Sequence, residues 1–203
     1  ASMIHRDKLG AWLFAYSFSA SPGNVTRYNT DAAFSTRKPT SASYVTQTFS
    51  VQRALEFGHG WSPASRATAK VASGSLPGTE QFSVGGSATV RGFDEQVNTG
   101  DQGFVMNHDL QSPVHRAKLP FRKATLPPLE TRAVLFYDYA EVHYKHPDAN
   151  DVVLRPLASW GFGVRMSLRA NFTLSSDYGW PITAVPVGFD KKIPPVVPHS
   201  RGH

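Results

Sequence analysis

Apolar residues recur at every second position through most of this chain. Between Gly10 and Ala20, Trp12, Phe14, Tyr16 and Phe18 fall on one side, with Ala11, Leu13, Ala15, Ser17 and Ser19 on the other. From Tyr44 onward, Phe49, Val51, Leu55 and Phe57 share a side that Arg53 interrupts, opposed by Thr46, Thr48, Ser50, Gln52 and Glu56. The clearest case is Trp160, Phe162, Val164, Met166 and Leu168 alternating with Gly161, Gly163, Arg165, Ser167 and Arg169. After a short turn at Arg169-Ala170, Phe172, Leu174, Tyr178 and Trp180 alternate with Asn171, Thr173, Ser175, Asp177 and Gly179. A period of two places successive side chains on opposite faces of a strand. It predicts about seven long strands, near 9–20, 44–57, 64–74, 103–111, 131–144, 159–168 and 171–182, and a short one around 79–85.

Alternation alone fits either a soluble sandwich or a membrane barrel. Two features favour the barrel. Trp, Phe and Tyr lead the apolar faces near strand ends, as in the aromatic girdles of outer-membrane barrels, and the opposite faces carry the Gly, Ser, Thr, Arg and Asn of a hydrated lumen. Connections also differ in length. Gly58-His59-Gly60 and Arg169-Ala170 are short, whereas 80–103, 145–156 and the Pro- and Gly-rich tail 183–203 are long. Short periplasmic turns and long external loops are the barrel rule, which the long 112–129 connection breaks. An arc of seven strands would leave two unpaired edges where no water can satisfy them, so further strands are expected at both ends.

Composition narrows the function. The chain has 203 residues and no Cys, which excludes disulfide staples and thiolate metal sites. A formal charge of +6 raises the question of nucleic acid. The cations are dispersed, however, and the densest run, His115 to Lys123, reads as a solvated turn; no nucleic-acid partner is expected. No run is long and apolar enough for a membrane helix, and Ala1 to Arg6 lacks a signal pattern. Eight His residues show no metal-binding spacing, and His143 and His146 read as loop residues. No nucleophile motif appears either, so neither an enzyme nor a cofactor is expected.

Two segments carry the most specific signal. Gly85-Gly86-Ser87-Ala88-Thr89-Val90-Arg91-Gly92-Phe93 sets one arginine in a glycine-punctuated loop, and Phe136-Tyr137-Asp138-Tyr139-Ala140 sets one acid within an aromatic strand. With Leu76 to Gly86 and Gly100-Asp101-Gln102-Gly103, these segments resemble the two-partner secretion transporters. These TpsB-type proteins export haemolysins and filamentous haemagglutinins and share a superfamily with the barrel-assembly protein BamA. The resemblance implies an all-β fold, an antiparallel transmembrane β-barrel, here an incomplete C-terminal arc of a barrel of about 16 strands, without the periplasmic domains and the last strand.

It also implies a site. In the family, the loop bearing V-R-G-F/Y folds into the barrel and its arginine pairs with an acid on a following strand. Here that loop is Ser87 to Asp101, with Val90, Arg91, Gly92 and Phe93 at its tip and Gly85 and Gly86 supporting it. The partner is Asp138, in the family's F-x-D-x-G pattern beginning at Phe136, where Ala140 departs from the usual Gly. Asp109, in Asn107-His108-Asp109-Leu110, stands where a second acid often occurs and is shorter than the usual Glu. The implied protein sits in the bacterial outer membrane, among outer-membrane lipid, as a monomer when full length. It would pass an unfolded TpsA-type exoprotein without an energy source. Two alternatives stay open: an assembly factor of the same superfamily, and a soluble carbohydrate-binding sandwich.

Overall fold

The computed structural model describes residues 1–33, 40–118, 128–147, 155–168 and 172–183. Eleven strands form among them: β1 (Ser2–Asp7), β2 (Gly10–Pro22), β3 (Ser43–Leu55), β4 (Ser62–Ala72), β5 (Phe82–Val84), β6 (Asn98–Gly100), β7 (Gln102–Gln111), β8 (His115–Ala117), β9 (Leu129–His143), β10 (Leu157–Leu168) and β11 (Phe172–Pro181). Nine build one antiparallel sheet in the order β1-β2-β3-β4-β7-β9-β10-β11, with β8 extending the turn end of β9. β5 and β6 pair separately. The main sheet is open, with β1 and β11 at its edges.

All seven long strands of the sequence reading are present. β1, β6 and β8 were not expected, and β5 lies within the short strand anticipated around 79–85. The Arg169-Ala170 turn, the tail beyond Thr183, residues 119–127 of the 112–129 connection and residues 148–154 of the next lie outside the described residues. Length suits a membrane. β7 and β11, at ten residues each, are the shortest of the long strands. At about 3.4 Å per residue and a tilt near 45°, ten residues rise about 24 Å, the height of a barrel's apolar band.

The register fixes two faces. Phe14, Tyr16, Phe49, Phe104, Tyr137, Trp160, Phe162, Tyr178 and Trp180 share the outward one and all remain exposed. Trp160 stacks on its cross-strand partner Trp180 with ring centroids 5.1 Å apart, and Tyr16 meets Phe49 at 4.9 Å. Such pairs contribute about 0.2–1 kcal/mol each to strand pairing. Large aromatics left uncovered on a whole sheet face are what a lipid-facing wall requires. In a sandwich they would meet a second sheet, and the only other sheet among the described residues is the small β5–β6 ribbon. That ribbon contacts β9 and packs its Phe82 and Val84 into the buried cluster described next.

The buried core lies on the inward face. Val84, Val90, Phe93 and Val97 from the β4–β7 connection pack on Val105 of β7, Ala140 and Val142 of β9, and Leu157 of β10. This cluster seats the connection against the wall, and the site lies beside it.

Candidate functional site

The residues from Gly85 to Val97 form a compact loop between β5 and β6. Gly85 and Gly86 both take positive φ, +109° and +89°, which turns the chain sharply out of β5. A Cβ on Gly86 would collide with the Glu95 carboxylate, whose Oε1 accepts the Ser87 N–H at 2.9 Å and the Ser87 hydroxyl at 3.0 Å. Thr89 Oγ1 accepts the Gly85 N–H and donates to the Gly85 carbonyl, both at 2.8 Å. Pinned from both ends, the loop presents Val90-Arg91-Gly92-Phe93 to the inward wall.

Arg91 is buried and reaches three carboxylates. Asp138 Oδ2 accepts its Nε at 2.8 Å and its backbone N–H at 3.0 Å, while Asp138 Oδ1 accepts Nη2 at 2.8 Å. The same Nη2 donates to Asp109 Oδ1 at 2.6 Å, and Nη1 lies 3.6 Å from Asp177 Oδ2. The planar guanidinium fork suits this arrangement, since Nε and Nη2 grip both oxygens of one carboxylate in parallel. Phe136 supplies the floor, with the guanidinium carbon 3.6 Å from its ring centroid. Burial alone would push Arg91's pKa down, but the hydrogen bonds and charges of Asp138 and Asp109 outweigh it and hold the proton more tightly than usual.

Asp138 is fully buried yet satisfied. Besides the three Arg91 donors, Asn107 donates to its Oδ1 at 2.8 Å and reaches the Thr89 carbonyl at 2.6 Å. Four donors around one carboxylate offset the cost of removing it from water. Two neighbouring strands make room for the loop. Gly92, with φ +93°, lies against Gly179 of β11; a Cβ on Gly92 would sit 2.7 Å from the Gly179 carbonyl oxygen, and one on Gly179 2.7 Å from that of Arg91. Gly161 of β10 gives way to the Phe136 ring, 2.4 Å from where its Cβ would be.

The expected residues therefore converge: Val90 and Phe93 in the apolar cluster, Arg91 on Asp138 and Asp109, Gly92 on β11, Phe136 beneath the cation. Ala140, the departure from Gly, places its methyl in the Val90–Phe93 cluster and not beneath Arg91, so the replacement adds apolar contact. The sequence reading did not single out Asn107, Asp177 or Gly179 as site residues. Alternation put Asp177 and Gly179 on the inward face, and Asp177 is also the fork partner of Arg165, at 2.5 and 2.8 Å. Among the described residues no group of three or more His, Cys, Asp or Glu could hold a metal ion. His143 pairs with Glu141 at 2.8 Å, and His146 lies 3.3 Å from the Ser75 hydroxyl.

A loop arginine clasped by inward acids of a barrel wall meets a matching family model. The model for haemolysin secretion/activation protein ShlB/FhaC/HecB covers residues 1–166. The chain belongs to this family. No curated protein matches it. The secretion/activation family is one of outer-membrane transporters, in keeping with an all-β arc whose aromatic face is uncovered. Arg91, Asp109 and Asp138 lie within the matched residues, and Asp177 lies beyond them.

Proposed function

We propose that residues 1–203 are the C-terminal portion of an outer-membrane pore of about 16 strands, through which an unfolded haemolysin- or adhesin-type exoprotein reaches the cell surface. The family match supports secretion, and the Arg91–Asp138 contact carries the mechanism. The loop lies on the inward face and is held by a paired, desolvated charge. Displacing it would expose or strand that charge, at a cost of about 3–5 kcal/mol. The contact therefore sets whether the loop stays on the wall, and with it the pore's cross-section and the integrity of the barrel. No nucleotide-binding motif occurs in the sequence, and conduction is passive. The client is a TpsA-type protein, the surroundings are outer-membrane lipid, and the complete transporter works as a monomer without enzymatic activity.

The test is Arg91→Ala in the full-length transporter. The variant should reach the outer membrane in normal amount while secretion falls by at least about tenfold, given the energy of the contact. Undiminished secretion would remove the reading. Exchanging the charges, Arg91→Asp with Asp138→Arg, should restore part of what either change alone loses. No gain over the single variants would argue that the two groups do not act as a pair.

A further inference from the structure

The inward face is divided between two unlike walls. β7, β9, β10 and β11 lie under the loop: Asp138, Ala140, Val142, Leu157 and Ser159 are buried, and Gly179 touches the loop backbone. β2, β3 and β4 face inward with a different set. Ser17 and Ser19 of β2 are exposed, Thr48, Ser50 and Gln52 of β3 are half-buried, and β4 adds Thr68 beside an exposed Arg66. The Ser50 and Thr68 hydroxyls bond each other at 2.9 Å across this wall. Where it meets the loop, a cleft of about 280 Å³ opens, with Gln52, Ala54, Ala64 and Arg66 on one side, Ser87 and Ala88 of the loop on the other, and the Arg91–Asp109 pair also in its lining.

Charge divides the walls too. The inward positions of β1 to β4 include Arg6, Arg66 and Lys70 and no carboxylate, whereas those of β7 to β11 mix Asp109, Glu130, Asp138 and Asp177 with Arg132 and Arg165. Lys70 is engaged by the Glu80 carbonyl at 2.5 Å, which leaves Arg66 as the exposed cation lining the cleft.

We infer that the exoprotein travels along the β2–β4 wall as an extended, acid-bearing chain, opposite the wall that the loop occupies. This rests on the pore reading above and adds to it the track and the charge preference. Hydroxyls and a side-chain amide both donate and accept, so they can exchange hydrogen bonds with a passing backbone. Arg66 draws carboxylates into the cleft, while the acids of the other wall are paired with Arg91 and Arg165, so that wall offers a passing carboxylate no net attraction.

The probe is a flexible Gly/Ser peptide carrying Glu residues and a central benzophenone, offered to purified full-length transporter in liposomes. Under light, the label should fall on residues 46–54 and 62–70, with uptake several-fold faster than for the same peptide bearing Lys. Arg66→Glu should reverse that preference. Uptake with labelling mainly on 157–181, or with no difference between the Glu and Lys peptides, would overturn the track while leaving the pore reading intact. Absence of both uptake and labelling, in transporter that secretes in cells, would overturn the pore reading and the track with it.

Discussion

Arg91's two hydrogen-bonded acids are not equivalent. Asp138 is fully buried and accepts three donors from Arg91 and one from Asn107, whereas the Asp109 side chain is 25% exposed and accepts one. Removing a partner from a buried pair costs about 3–5 kcal/mol, and from a wetter one about 1 kcal/mol or less. Asp138→Ala should therefore release the loop to added protease on the folded transporter, and Asp109→Ala should leave it mostly protected. Equal sensitivity in the two variants would contradict this ranking. The cation itself resists alkali. Its pKa in the folded protein is raised above the ordinary arginine value, so the stabilisation it contributes is complete below that ordinary value and is lost only as pH climbs through the still higher folded one. Loop protection should thus be unchanged between neutral pH and about pH 10, where an amine in the same role would begin to discharge; release of the loop across that range would show that some other group holds it.

At the scale of elements, the site exists because β11 carries a glycine where the loop's own glycine arrives. Gly179 belongs to a strand, and its backbone is not in the positive-φ region, so alanine there suits β11 itself. What alanine cannot do is share space with the loop, since its Cβ would lie 2.7 Å from the Arg91 carbonyl oxygen and 2.9 Å from the Gly92 nitrogen. Gly179→Ala should leave the barrel assembled, as read by its retarded migration on unheated gels, yet unseat the loop and reproduce the secretion defect of Arg91→Ala. Gly74→Ala, with nothing within 4 Å of its added methyl, is the matched control and should secrete normally. A Gly179→Ala variant that secretes like the control would mean that the loop does not need to approach β11. The same strand bears Asp177, forked by Arg165 and 3.6 Å from Arg91, so β11 is tied to the loop by charge as well as by close backbone contact.

For the whole molecule, what was legible in the sequence divides along physical lines. The long strands and their two faces were readable because one face must be apolar over ten or more residues, and a two-residue period sustained that long has few other causes. β1 was not, because six residues, Ser2–Asp7, mix apolar and charged side chains on both faces; β6 and β8, at three residues each, carry no period at all. Asp138 and Arg91 could be paired only through family resemblance, since alternation tells which face a residue takes but not which loop will fold down to meet it. Asp177 and Asn107 illustrate that limit: inward placement was available for the first, partnership for neither. The open sheet leads to a last prediction. Among the described residues, the outer edges of β1 and β11 have no neighbouring strand in the sheet to pair their N–H and C=O groups, and in hydrocarbon each unsatisfied group costs several kcal/mol. On the proposal that further strands close this arc, the 203-residue chain refolded alone into liposomes should aggregate or remain protease-sensitive. Co-refolding with a polypeptide supplying the missing strands should yield a protease-resistant barrel. A stable, protease-resistant monomer from the 203 residues alone would show instead that these strands close on themselves, and the proposal that they are part of a larger wall would fail.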